Sequence, residues 1–359
     1  MSTATDARAW LGPRADDYLA LLGTLVSADD LPRCRAAVVD RLGPPQRDEG
    51  GHLLYGTGRG PLISCHYDTV WPPGTAADRP LTVRDGKAYG PGTADMKGGI
   101  VVAIAAVEAL ATVAPEVGWR LSLTPDEEIG NRSTRAAIAE LSREATAVLV
   151  LECGLPDGGV KTARKGTAEV RITVEGRAAH AGNDHADGAN AVVQAAHLAV
   201  RAAALHDPEA ATVCVGVLHG GARRNVVPDR AELALDVRSF QPAAIEAVFA
   251  ALRAAPVEVP GTRVTVEGEM HRPPMPRTPA IAGLYAKAGA IAAELGLVLP
   301  EHAVGGGSEA NLAAGAGAPV LDGLGPVGAG SHALDEYVVV SSIVERAALL
   351  AGLVAALRP

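Results

Sequence analysis

The strand-like runs of this chain come in two kinds, and the change between them limits the fold more than any other feature. Up to about residue 152, the short apolar runs "PLISC", "WRLSL" and "AVLVLE" alternate with helix-like segments at 18–26, 31–42, 98–113 and 133–143. That alternation predicts an α/β domain: a mainly parallel sheet flanked by helices. From residue 165 the pattern differs. "TAEVRITVEG" alternates strictly between apolar and polar, as a half-exposed strand does. A helix follows in "DGANAVVQAAHLAVRAAAL", with Asp187 as the expected N-cap. "ATVCVGVLHGG", "RAELALDVRS" and "TRVTVEGEMH" are further alternating strands. This predicts a smaller α+β domain of β-α-β-β-α-β type over 165–273, between the linkers "VKTARKG" and "HRPPMPRTP". Helix 280–295, strand "APVLDGL" and helix 341–357 then return to the first pattern. The expected organisation is a catalytic domain in two parts, 1–164 and 274–359, interrupted by an inserted one.

A chain of 359 residues is long enough for two domains. With 48% apolar and 20% charged residues it is globular, and with only 3% aromatics its core must be built from Ala, Val and Leu. The net charge of −9 attracts neither nucleic acid nor an anionic membrane. The N-terminus lacks the basic start and apolar core of a signal peptide. "GIVVAIAAVEALATVA" reads as a buried helix, too short to span a bilayer. Four scattered cysteines, Cys34, Cys65, Cys153 and Cys214, form no C-x-x-C pair and predict reduced thiols in a cytoplasm.

Several acidic and imidazole residues share one context. His66 follows "PLISC"; Glu127 and Glu128 follow "WRLSL"; Glu152 ends "AVLVLE"; His332 lies in the loop after "APVLDGL"; Asp95 immediately precedes a helix. In open α/β sheets, ligands bind beyond the carboxyl ends of the strands. Two imidazoles and three carboxylates suit zinc, and five ligands are one more than a tetrahedral ion uses. If Asp95 bridges, each of two metals receives three ligands and shares a water. In an extended segment His66 and Asp68 point the same way, so Asp68 can orient the imidazole, whereas Cys65 faces away. Glu127, beside a ligand but diverging from it, is placed to act as general base.

The motifs "HYDTV", "GPGTADMKGG", "PDEEIGN", "ECG", "GRAAHAG", "RRNVVPD", "GGGSEAN" and "SHALDEY" resemble, in order, those of the dizinc aminoacylase/carboxypeptidase family. That family includes glutamate carboxypeptidase, acetylornithine deacetylase and succinyl-diaminopimelate desuccinylase. The resemblance implies two Zn2+ ions, with Co2+ or Mn2+ as substitutes, held by His66, Asp95 (bridging), Glu128, Glu152 and His332. It implies Glu127 as base, with Asp68 orienting His66. It makes the inserted domain a dimerisation or lid domain, in a homodimer where His180 crosses to stabilise the tetrahedral oxyanion. Asn225 would support substrate, and Gly306 and Gly307 belong to a loop that lines the pocket with backbone N–H groups. Arg238 shares a polar strand face with Glu232 and Asp236; it either pairs with them or, as the resemblance implies, holds the substrate carboxylate. Arg272, in "MHRPPM", resembles the arginine that reads a glutamate side chain, and is otherwise a solvated linker residue. Lys161 is a weaker candidate for the same role and is otherwise expected at the surface. Glu309 departs from the family pattern, where Asp is common.

The expected function is hydrolysis of an amide bond beside a free carboxylate, in a peptidyl or N-acyl amino acid, in the manner of glutamate carboxypeptidase. The alternatives are an N-acyl-amino-acid deacetylase or aminoacylase and, in another class, a catalytically inactive metal-binding regulatory dimer. A further alternative is a two-metal phosphoesterase: Gly98 and Gly99 could suggest phosphate at a helix start, but no Gly-Lys-Ser/Thr phosphate loop accompanies them.

Overall fold

The apolar run before His66 becomes the strand Leu62–His66, buried along its whole length. It pairs in parallel with Arg120–Thr124 on one side and Val148–Val150 on the other, and Val148–Val150 pairs in parallel with Val320–Asp322. These four strands form the centre of an eight-stranded sheet. Its order is Arg47–Glu49, His52–Tyr55, Arg120–Thr124, Leu62–His66, Val148–Val150, Val320–Asp322, Val160–Arg164, Glu301–Val304. The chain leaves the Leu62–His66 strand first towards one neighbour and later returns to the other. That reversal opens a crevice at the carboxyl ends, where His66 sits. The computed structural model describes residues 2–56 and 60–358. It divides into one unit of Met1–Ala163, Pro276–Val304 and Ser308–Pro359, and another of Arg164–Met275 with Gly305–Gly307.

Helix Gly98–Val113 is the core of the first unit: every residue from Gly98 to Val107 is buried. With the preceding turn the stretch Thr93–Val113 spans 21 residues and is long and apolar enough to cross a membrane, which corrects the shorter length read from sequence. Its apolar surface is instead covered by helices Thr3–Leu11 and Val340–Ala356, so it serves as a core helix. Ala, Val, Leu and Ile supply most of that core. Several elements escape the sequence pattern, among them helix Thr3–Leu11, capped by Ser2, the strand Val160–Arg164 in place of a linker, and an antiparallel sheet of Gly328–Ala329, Tyr337–Val339, Lys87–Tyr89 and Thr82–Arg84. Strands of two or three residues are too short to display a period.

The second unit carries a four-stranded antiparallel sheet in the order Thr212–Gly220, Arg230–Ser239, Gly166–Glu175, Arg263–Arg272. Val170, Ile172, Val174, Leu233, Leu235 and Val237 face its core with Leu198 and Phe249 of its two helices, Ala191–Ala204 and Pro242–Arg253. The N-cap of the first helix is Asn190, whose side chain accepts the Val192 and Val193 N–H groups at 3.1 Å, and not Asp187. Ala189 and Arg177 exchange backbone hydrogen bonds, which keeps residue 189 extended and delays the helix.

Candidate metal centre

His66 is the last residue of its strand and 1% exposed. Nδ1 lies 3.3 Å from Asp68 Oδ1, while Nε2 lies 3.1 Å from Asp95 Oδ1 and 3.7 Å from Glu152 Oε1. One ring nitrogen thus faces an orienting carboxylate and the other faces the cluster, the arrangement a metal-binding imidazole needs. Asp95 sits in the turn before helix Gly98–Val113, and its second oxygen, Oδ2, lies 3.2 Å from His332 Nε2. Glu128 Oε2 is 3.3 Å from the same nitrogen. Two groups of atoms that could hold a metal ion result, His66–Asp95–Glu152 and Asp95–Glu128–His332, each gathered within 4.8 Å. They share Asp95.

The donor chemistry fits cations. Glu128 Oε1 is buried and has no hydrogen-bond partner among the described residues. Burial pushes the Glu128 carboxyl up to about 8, and the Asp95 charge adds to this. The hydrogen bond to Asp95 pushes His332 up to about 9 against the opposing effect of burial, with the Glu128 charge contributing. Burial alone would lower His66, but Asp68, Asp95 and Glu152 outweigh it and hold the imidazolium well above its usual range. Asp95 is lowered: burial opposes ionisation, and His332 and His66 overcome it. Acidic groups packed this closely draw in positive charge, whether as protons or as metal ions.

The turn after the Arg120–Thr124 strand is tightly held. Asp68 Oδ1 accepts the Glu127 N–H at 3.2 Å and Oδ2 the Glu128 N–H at 2.9 Å. Asn131, left-handed at φ 52, donates its N–H to Asp126 O at 2.7 Å. The Asp126 carboxylate accepts the N–H and hydroxyl groups of Ser133 and Thr134. Glu127 is buried beside Glu128, with its carbonyl accepting the Gly130 N–H. Beside Asp68 and Glu128 opens a cleft of about 400 Å3, walled in part by Leu31, Pro32, Trp71, Pro125 and Ile129.

Two buried carboxylates escaped assignment to the centre from sequence. Glu336 accepts the N–H groups of Gly92, Ala94 and Asp95 at 2.8, 2.9 and 3.0 Å, and Trp71 Nε1–H at 3.1 Å. It therefore fixes the turn that presents Asp95. Its distance of four residues from His332, in "SHALDEY", was the available signal. Glu309, singled out only for its identity, is 1% exposed, and burial pushes it up to about 7 despite hydrogen bonds from Ser64 and Thr124. Gly98 and Gly99 have a packing reason: a Cβ on Gly99 would stand 2.0 Å from Leu151 O, and one on Gly98 2.6 Å from Thr93 O. Lys161 is 7% exposed on the Val160–Arg164 strand, opposite Asp322, and not at the surface, because that strand lies inside the sheet.

In the second unit, Arg238 pairs with Asp236 through two bonds of 2.7 and 3.1 Å, and its Nη1 donates to Gly305 O at 3.2 Å. Arg272 is buried, 7% exposed, with its side chain against Gly307, and is not a solvated linker residue. Arg164, which the sequence reading passed over, is also buried and donates to Gly306 O at 2.8 Å. Three guanidinium groups thus meet one glycine loop. His180 is exposed on the Ala179–His180 strand, its Nδ1 accepting the Gly182 and Asn183 N–H groups, and Asn225 is exposed with its carbonyl accepting the Ala181 N–H.

A helix-flanked, mainly parallel sheet with two candidate three-ligand sets sharing a carboxylate at its carboxyl edge fits a class: the metal-dependent peptidases and amidohydrolases. The chain belongs to peptidase family M20/M25/M40, whose family model matches residues 62–356. It is 33% identical over 310 residues to carboxypeptidase G2 of Pseudomonas sp. (strain RS-16), covering 83% of this chain and 74% of that one. It is 28% identical over 317 residues to succinyl-diaminopimelate desuccinylase of Stenotrophomonas maltophilia, covering 80% and 82%. Its fold matches that of the Bacillus subtilis YXEP protein, a dinuclear metal-binding peptidase of the M20 family, with a TM-score of 0.69 and 16% identity over 96% of this chain and 98% of that one.

Proposed function

We propose that this protein is a dizinc hydrolase that cleaves the amide bond of a peptidyl or N-acyl amino acid next to a free carboxylate, with a glutamate-like C-terminal residue favoured. The observation that carries this reading is Asp95, one oxygen of which faces His66 while the other faces His332. Two zinc ions held by His66, Asp95, Glu152, Glu128 and His332 would supply Lewis-acid polarisation of the scissile carbonyl and acidification of a water. Glu127 takes the proton of the attacking water and delivers it to the leaving nitrogen as the C–N bond breaks and the C–O bond forms. Asp68 holds the His66 ring and the Glu127–Glu128 backbone in place. Arg238 is assigned to the substrate carboxylate, Arg272 to the side chain beyond it, and Gly306, Gly307 and Asn225 to substrate support. His180 is assigned to the developing oxyanion.

The likeness to carboxypeptidase G2 supports release of a C-terminal residue, and the arginines around the glycine loop support an acidic one. The acyl portion is assigned to the cleft beside Glu128. A second reading, deacylation of an N-acyl amino acid in amino-acid or secondary metabolism, rests on the likeness to the desuccinylase. A cytoplasmic location is part of this reading. The second unit is read as the dimerisation or lid domain of a homodimer.

The test is a panel of N-acyl amino acids and dipeptides offered to the zinc-loaded protein, with Glu127→Ala as control. Hydrolysis of N-acyl glutamates that disappears in the variant while two metal equivalents remain is the expected result. No hydrolysis of any panel member by a fully loaded protein would point to the regulatory, inactive alternative.

A further inference from the structure

Glu309 is a fully buried carboxylate to which the proposed reaction gives no task. Three donors from separate segments converge on it. Ser64 Oγ donates to Oε2 at 2.6 Å, Asn131 Nδ2 donates to Oε1 at 3.0 Å, and Thr124 Oγ1 donates to the same oxygen. Each donor lies next to the metal centre in sequence. Ser64 is two residues before His66 on the same strand. Thr124 ends the neighbouring strand, three residues before Glu127. Asn131 closes the turn three residues beyond Glu128.

We infer that Glu309 is a positioning residue for the metal centre: its carboxylate locks the Leu62–His66 strand to the Asp126–Asn131 turn and so sets where His66 stands against Glu127 and Glu128. The inference rests on the metallohydrolase reading above. The chemistry of the three donors explains why a carboxylate is needed. Two hydroxyls and an amide N–H2 all point inwards, and an ionised carboxylate accepts from all three. A glutamine in the same volume keeps one oxygen for Thr124 and Asn131 but removes the charge and sets an N–H2 against Ser64, whose hydroxyl must then turn round to accept. An aspartate keeps the charge and both acceptor oxygens on a stem shorter by about 1.5 Å. It is therefore the conservative variant.

The test compares Glu309→Gln and Glu309→Asp with the unaltered protein, using Co2+ absorption, chelator competition and steady-state kinetics. Glu309→Gln is expected to change the Co2+ spectrum, to weaken at least one metal equivalent about tenfold or more, and to lower kcat while KM changes little. Glu309→Asp is expected to restore most of each. A Glu309→Gln protein that melts earlier but keeps the spectrum and metal affinity of the unaltered protein overturns the inference, since its role would then be stability alone. If Glu309→Gln does not fold, Ser64→Ala and Thr124→Val remove single donors. A shift of the same readouts supports the proposal, and unchanged spectra in both overturn it. The spectrum and affinity arms need no substrate, so failure of the hydrolysis assay would count against the proposed function and leave this test intact.

Discussion

Asp68 Oδ2 accepts the backbone N–H of Glu128 at 2.9 Å, while the other oxygen of the same carboxylate lies 3.3 Å from His66 Nδ1. One acidic side chain therefore orients a histidine on one strand and the Glu127–Glu128 turn after another. Asp68→Ala is expected to retain the fold and lose about 10–100-fold in kcat or metal affinity, as removal of such supporting partners does. Steady-state kinetics with parallel metal analysis would show it; unchanged values in both would refute the role.

Asp95 belongs to both candidate ligand sets. Asp95→Ala should therefore weaken two metal equivalents together, whereas Glu152→Ala should weaken chiefly one. Titration with a chelator of known affinity separates the two patterns. Retention of one tight equivalent in Asp95→Ala would argue against a bridge.

The raised acidities set the sign of the pH dependence. His332 is held up at about 9 and Glu128 at about 8, so both must release protons before they can bind metal. Metal affinity should rise from about pH 6 to pH 9 and then level off, with proton release measurable by calorimetry in buffers of different ionisation enthalpy. In the metal-free protein the same two groups favour folding while protonated. That contribution is fully present below their ordinary values of 4.5 and 6.5 and is lost as pH climbs through their raised ones. The gap in Tm between loaded and metal-free protein should therefore widen with pH. A gap that narrows would contradict the assignment.

Glu336 accepts three backbone N–H groups and the Trp71 indole N–H. Glu336→Gln replaces one acceptor oxygen with a donor and leaves buried N–H groups unmatched, at about 1–3 kcal/mol. Calorimetry should show a lower Tm, and metal analysis a weaker grip at Asp95. An unaltered Tm would mean the turn holds itself.

At Gly99 an added methyl group would meet Leu151 O, one residue before Glu152, at 2.0 Å. Gly99→Ala should destabilise the protein by about 1–3 kcal/mol, as overpacking does. It should also disturb the metal set containing Glu152. Chemical denaturation together with Co2+ spectra would test both, and a neutral substitution would contradict the packing reason for this glycine.

The fold class was legible because it rests on repetition: "PLISC", "WRLSL" and "AVLVLE" among helical stretches are long enough to show their period. The small sheet around Tyr337–Val339 and helix Thr3–Leu11 were not legible, the first because its strands are short. Asp187 fits a cap by composition, but the bridge between Arg177 and Ala189 moves the helix start to Asn190. Lys161 reads as a surface residue because lysine is usually solvated, and only the packing of its strand buries it.

Sequence by itself determined which side chains stand at strand ends: His66, Glu127, Glu128 and Glu152 follow apolar runs whose lengths set where each strand stops. It also determined that His66 and Asp68 share a direction, because the period of an extended chain is local. The tertiary structure decided what no local rule contains. It brought Asp95 between His66 and His332, set Glu336 behind the Asp95 turn, and closed Ser64, Thr124 and Asn131 around Glu309. Those contacts join residues up to hundreds of positions apart. They follow from strand order and burial, which no neighbouring residue specifies.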